Sequence, residues 1–139
     1  LTRLPNRAGL RGAFQQGEAE SASLAVLELS SLAEVNARHG CLEGDRLLRY
    51  FSDRLAENLP GSTAGRWGGN AFLVIFPGTP SARASITLAE ALAPLVREPY
   101  QTLAQTQLQI SVAAGLTEVG SAGASSLDEL VSDVPLVSV

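Results

Sequence analysis

The 139 residues, 45% of them hydrophobic, suffice for one domain with a sizeable core and are too apolar for a disordered chain. Fourteen acidic against ten basic residues leave a net charge of −4, and the bases, all arginines, are scattered from Arg3 to Arg97 without a stripe, which argues against a nucleic-acid-binding face. A single cysteine, Cys41, excludes an internal disulfide; with no secretory leader and no apolar run of membrane-spanning length, a cytoplasmic domain without membrane contact of its own is expected. The chain opens on Leu1 without an initiating methionine, so a piece of a larger protein is expected, whose neighbouring modules, membrane segments included, would lie outside it.

From the N-terminus, Asn6 after Pro5 caps a short helix that carries Leu10 and Phe14 on one face, stops at Gly17 and packs on the core as a lid. Ser23–Leu29 is apolar after its first residue except for Glu28 and reads as a buried strand that lifts one carboxylate near its C-terminal end. Ser31–Arg38 reads as a helix with Leu32 and Val35 inward, ended by His39-Gly40. A second helix runs from about Leu42 to Leu59, with Leu47, Leu48, Phe51, Leu55 and Leu59 as its stripe and Pro60-Gly61 as its stop.

The stretch Gly65–Phe76 is a polar approach, a tight corner at Gly68, Gly69 and Asn70, and a strand from Phe72 to Phe76 covered on both faces. Pro77-Gly78 breaks it, and a helix from about Ser81 to Val96 follows, with Ile86, Ala89, Leu92 and Val96 inward and Pro94 kinking or ending it early. Gln107–Val112 alternates polar and apolar residues, as a strand near a sheet edge does. Gly120–Ser126 is a loop, Leu127–Ser132 a short helix stopped by Pro135, and the tail Pro135–Val139 a candidate small strand. This order implies an α/β (α+β) sandwich with a central, mostly antiparallel sheet flanked by helices.

Candidate chemistry is sparse. Glu28 is either a carboxylate lifted toward chemistry at the C-terminal end of its strand or an ordinary strand-end acid exposed to water. Asn36, late in one helix, and Asp45, early in the next, can face each other across the turn. Their amide and carboxylate oxygens would then accept protons from the N1–H and exocyclic amine of a guanine. The alternatives are a polar helix C-terminus and an acid favoured by the helix dipole. His39 and Cys41 share a loop but lack further Cys or His partners, so no zinc site is expected. Arg46, Arg49 and Arg54 beside Asp53 and Glu57 read as a solvated face with weak ion pairs. No P-loop, Rossmann glycine motif or Ser-His-Asp set is present.

Four collinear stretches, LTRLPNRAGL, LAVLELSSLAEVNARHGCLEGDRLL, GRWGGNAFLVIFPG and SVAAGLTEV, resemble successive landmarks of the GGDEF domain, the diguanylate cyclase module of bacterial cyclic di-GMP signalling, from Leu1 to about Asp133. The resemblance implies a fold similar to adenylyl cyclase and polymerase palm domains. It also sets Gly68, Gly69, Asn70, Ala71 and Phe72 at the signature, with Ala71 where active relatives carry the last acid and Asn70 where they carry an aspartate or glutamate. Glu28 stands where they carry a metal-binding aspartate, and Ser30 replaces the second acid of that strand.

The implied expectation is a degenerate member without cyclase activity, with no catalytic residues, no metal beyond the vestigial candidate Glu28, and weak or absent Mg and GTP binding. Asn36 and Asp45 match the family's guanine-recognising positions. The family's product-inhibition motif would fall at Leu59 and Ser62, neither of which has the required charge, so cyclic di-GMP binding there is not expected. A regulatory or interaction role follows, in a parent with a linked EAL receptor or phosphodiesterase domain and sensory modules, with an active cyclase or a second copy as partner. A GTP-sensing domain and a cyclase with an altered centre are the alternatives.

Overall fold

The computed structural model describes residues 6–16, 22–119 and 127–139. Along them run α1 (Arg7–Gln16), β1 (Ala22–Leu29), α2 (Leu32–His39), α3 (Cys41–Asn58), β2 (Thr63–Gly68), β3 (Ala71–Pro77), α4 (Ser81–Arg97), β4 (Tyr100–Gln101), β5 (Gln107–Leu108), β6 (Val112–Val119), α5 (Leu127–Asp133) and β7 (Val137–Ser138). Five strands form one sheet in the order β2-β3-β1-β6-β7, with every pair antiparallel, and β4 and β5 form a separate ribbon. The expected sandwich, a largely antiparallel sheet between helices, is therefore the one that forms. No helix among the described residues is long and apolar enough to cross a membrane.

The apolar runs of β1 and β3 follow from their place. Each strand has a neighbour on both sides and helices on both faces, so successive side chains enter opposite cores. Ala25, Leu27 and Leu29 join Phe72, Val74 and Phe76 beneath α2, α3 and α4, while Leu24, Val26, Leu73 and Ile75 meet Leu10 of α1 and Leu127 of α5. The expected cap forms too, because the Asn6 side chain accepts the Gly9 N–H at 3.0 Å. The expected stop at Gly17, the side chain of Phe14 and the loop Gly120–Ser126 lie outside the described residues.

Leu10 reaches full burial because β2 offers it a residue without a side chain. A Cβ on Gly65 would stand 2.6–2.8 Å from three Leu10 side-chain carbons. Gly65→Ala is therefore expected to lift α1 from the sheet and to lower stability by about 1–3 kcal/mol, the usual cost of overpacking a tight core. A urea titration followed by circular dichroism measures it, and an unchanged midpoint would contradict this account of the lid.

Two expectations need correction. The inward stripe of α4 is Ala84, Leu88, Ala91, Leu92 and Leu95; of the residues expected there only Leu92 is buried, while Ile86 is 61% exposed, Ala89 is exposed and Val96 half-buried. This helix carries alanine and branched residues on most of its faces, so periodicity alone does not set its rotation; contact with the sheet does. Pro94 does not end the helix, which continues to Arg97, and the Pro94 carbonyl still accepts the Glu98 N–H at 3.0 Å.

The alternating Gln107–Val112 stretch is not one edge strand. Gln107 and Leu108 pair in the ribbon with β4, whereas Val112 pairs with Leu29 and opens β6, which lies inside the sheet between β1 and β7. The small residues Ala113, Ala114 and Gly115 hid that strand from propensity reasoning. Gly115 is required there, since a Cβ would run into the Pro135 carbonyl oxygen where the C-terminal segment crosses to pair as β7. The tail thus forms the small strand suspected from its sequence.

Candidate functional site

At the C-terminal end of β1, Glu28 is paired with Ala71 on β3 and with Ala113 on β6. Directly opposed residues of antiparallel strands share a face. The half-buried Glu28 carboxylate is thus flanked on both neighbouring strands by methyl groups. Ser30 turns its hydroxyl back toward the Glu28 carbonyl, 3.5 Å away.

Asn70 is tied to the backbone of β1. Its side-chain Nδ2 donates to the Leu29 carbonyl at 3.3 Å, and its own carbonyl accepts the Leu29 N–H at 2.8 Å. The corner itself turns through Gly69 at φ +50°, with a register shift between Arg66 and Gly68. Two arginines hold its shape: Arg66 donates to the Gly69 carbonyl at 2.7 Å, and Arg7 of α1 donates to the Trp67 carbonyl at 2.9 Å while its guanidinium lies 4.2 Å from the Trp67 ring centroid.

Such a corner suits a pair of divalent cations poorly. They need several converging anionic oxygens, and the strands offer one carboxylate between two methyl groups. Among the described residues no group of three or more His, Cys, Asp or Glu side chains is placed to hold a metal ion. Half-buried His39 and exposed Cys41 do not join Glu28 in such a group.

The second candidate pair lies where α2 meets α3. The Asn36 carbonyl accepts the Gly40 N–H at 3.0 Å, and the Gly40 carbonyl accepts the Gly44 N–H at 3.2 Å, so one glycine at φ +87° ends one helix and begins the next. A Cβ on Gly44 would fall on the Asn36 Oδ1 and 2.8 Å from its Cγ, which places the Asn36 amide flat against the residue preceding Asp45. Both side chains are exposed, and among the described residues neither forms a hydrogen bond. Gly44→Ala is expected to push the Asn36 amide off its place with little change in stability, within about 1 kcal/mol, because alanine's higher helix propensity offsets the displacement of an exposed side chain. A crystal structure of the variant with the Asn36 rotamer unchanged would contradict this packing.

Sequence reasoning missed Glu43 and misplaced Arg46. Glu43 is 4% exposed; its Oε1 accepts the Leu103 N–H at 2.7 Å, and its Oε2 accepts the Tyr100 hydroxyl at 2.7 Å and Arg46 at 3.1 Å. Arg46 also donates to the Gln101 carbonyl and to the Tyr100 hydroxyl, each at 3.1 Å, so it clamps α3 to the β4–β5 ribbon and does not merely face solvent. Burial alone would raise the Glu43 carboxyl, but the Leu103 N–H, the Tyr100 hydroxyl and the Arg46 guanidinium together hold it below the usual range. Burial, then the bond to Glu43, pushes the Tyr100 hydroxyl up to about 12. One signal was available: Glu43 precedes Leu47 by four residues, so an acid stands in line with the buried stripe.

The family described as "Diguanylate cyclase, GGDEF domain" matches residues 1–134 of the chain. The chain belongs to the GGDEF family. Among its relatives, the uncharacterized protein y4lL of Sinorhizobium fredii is 36% identical over 137 residues, which are 94% of this chain and 16% of that protein. The bifunctional diguanylate cyclase/cyclic di-GMP phosphodiesterase MucR of Pseudomonas aeruginosa is 33% identical over 123 residues, 84% of this chain and 18% of that protein. This GGDEF domain therefore spans less than a fifth of the length of either.

Among solved structures, the GGDEF domain of DgcB from Caulobacter crescentus in complex with c-di-GMP superposes with a TM-score of 0.80 at 26% identity, over 88% of this chain and 77% of that one. The FimX GGDEF domain from Pseudomonas aeruginosa shares the fold, with a TM-score of 0.83 at 19% identity over 91% of this chain and 82% of that one.

At the positions that the resemblance assigned to the signature of this GGDEF domain stand Gly68, Gly69, Asn70, Ala71 and Phe72, with Phe72 fully buried and packed 5.1 Å from Phe51 as part of the scaffold. At the positions that the resemblance assigned to product inhibition, Leu59 is 3% exposed in the core and its carbonyl accepts the Ser62 hydroxyl at 2.7 Å, closing the Pro60-Gly61 turn. These groups serve the turn and present no charge.

Proposed function

We propose that this GGDEF domain is a catalytically inactive regulatory and interaction module of bacterial cyclic di-GMP signalling, attached in its parent protein to an EAL receptor or phosphodiesterase domain and to sensory modules. The observation that carries this reading is the pairing of Glu28 with Ala71 and Ala113. Phosphoryl transfer between two GTP molecules requires divalent ions bridging the phosphates and a base for the attacking hydroxyl. Here the methyl groups supply no ligand, and the Asn70 amide, already donating to the Leu29 carbonyl, is no base. The name of the MucR relative, which couples cyclase and phosphodiesterase activities, supports the signalling context and a linkage to a phosphodiesterase. A parent reading frame without an EAL domain would remove the linkage. An intact sheet and core leave a rigid surface for docking an active cyclase or a second copy.

A second reading, an allosteric GTP sensor, is favoured by one observation: Asn36 and Asp45 stand exposed at a corner built on Gly40 and Gly44. In that reading Glu28 would keep one metal ion. Calorimetric titration with GTP and Mg²⁺ separates the two. The regulatory reading expects no saturable heat below about 1 mM nucleotide, because the metal and triphosphate contacts that carry most of the affinity are missing. Saturable binding abolished by Asp45→Ala would establish the sensor instead.

A further inference from the structure

The candidate guanine-reading pair straddles the corner between α2 and α3. Gly40 joins the two helices through its N–H and its carbonyl, and Gly44 lies so close to the Asn36 amide that a methyl group does not fit between them. The first turn of α3 therefore presents Gly44 to the Asn36 amide and leads directly into Asp45. That turn receives no side-chain cap, since its N-cap is Gly40.

What holds the turn is Glu43. One of its oxygens accepts the Leu103 N–H and the other the Tyr100 hydroxyl and the Arg46 guanidinium. Charge-assisted bonds of this kind are short and directional. The ribbon at their far end is itself closed, with the Thr102 N–H donating to the Thr106 carbonyl at 2.9 Å and the Thr106 N–H to the Thr102 Oγ1 at 3.0 Å. The carboxylate thus links a firm ribbon to the one turn whose next two residues receive Asn36 and carry Asp45.

We infer that Glu43 is a positioning residue for guanine recognition: it sets the height and rotation of the first turn of α3, so that the Asn36 amide and the Asp45 carboxylate meet the same base edge. This rests on the reading of Asn36 and Asp45 as a guanine-reading pair. The ligand class is a guanine nucleotide, whose N1–H and 2-amino group need two acceptors in fixed relation. Adenine has an acceptor at N1 and no 2-amino group, so the same pair rejects it.

The test uses GMP and AMP without metal, so that phosphate–metal binding does not enter, and follows the Gly44 backbone and Asn36 side-chain amides by two-dimensional NMR. The unmodified chain is expected to respond to GMP at millimolar concentration and to AMP about tenfold more weakly, the discrimination that unpaired polar groups impose on a wrong base. Glu43→Gln is expected to cut that GMP/AMP ratio about threefold or more at a temperature where the variant is folded. Gly65→Ala, which strains the opposite face of the sheet, is expected to keep the ratio. Should Glu43→Gln not fold, Tyr100→Phe, which removes one donor from the carboxylate and keeps the ring, is judged by the same criterion. A ratio unchanged in the folded Glu43 or Tyr100 variant would show a brace for stability only and overturn the inference. Equal responses to GMP and AMP in the unmodified chain would overturn the reading of the pair itself, and the inference with it.

Discussion

No cyclic di-GMP is expected above a heat-killed control when the chain is incubated with GTP and Mg²⁺ or Mn²⁺, even at concentrations high enough for dimers. Two GTP molecules repel through their triphosphates, and the barrier falls only when cations and fixed dipoles neutralise the charge that builds on the transferring phosphorus. The corner that should hold those cations has one carboxylate, on Glu28, between the methyl groups of Ala71 and Ala113. Losing metal-dependent stabilisation costs at least several kcal/mol, or about a thousandfold and more in rate. Ala71→Glu alone is not expected to restore product, because Asn70 stays tied to Leu29 and Ser30 adds no second acid. Product detected by mass spectrometry after prolonged incubation of the unmodified chain would overturn the regulatory reading.

Glu43→Ala is expected to destabilise the fold by about 3 kcal/mol at neutral pH, because it leaves the part-buried Leu103 N–H and the buried Tyr100 hydroxyl without their acceptor. The loss should depend on pH in a defined direction. The folded state holds the Glu43 carboxyl below its unfolded value, so its contribution is complete above about pH 5 and fades as the pH falls through the carboxylate range. Tyr100 acts at the other end. Its hydroxyl is pushed up to about 12 in the fold, so that contribution is complete below the ordinary tyrosine value, about 10, and is lost as the pH rises from there toward 12. Urea unfolding of the unmodified and variant chains at acid and neutral pH measures the difference. A gap between them as wide at pH 3 as at pH 7 would contradict the charged network, and a gap near zero at pH 7 would contradict its structural weight.

Some elements were legible because their cause is local. The corner at Gly68–Asn70 announced itself through residues that tolerate unusual φ, and β1 and β3 through continuous apolar runs. The turn at Gly40 and the spacing of Asn36 and Asp45 were visible for the same reason. Glu43 was less so: an acid in a helix's first turn reads as a dipole partner unless its alignment with the buried stripe is weighed against what packs there, and the packing partner, the β4–β5 ribbon, lies some sixty residues away, as the Leu103–Glu43 bond shows. Ile86 misled because an apolar side chain on a helix marks a possible inward face and not the one the sheet selects.

By itself the sequence determined the family, the order of most elements and the tight corner, and it set Asn70, Ala71 and Ser30 where the resemblance implies acids, since these depend on residue identity and near-neighbour spacing. Only the tertiary structure decided that Glu28 faces Ala71 and Ala113, that β6 runs inside the sheet, which side of α4 is buried and that Glu43 is a buried clamp. Those facts are set by strand register and by contacts between residues far apart in the chain, and a local pattern carries no record of which distant partner will fill the space.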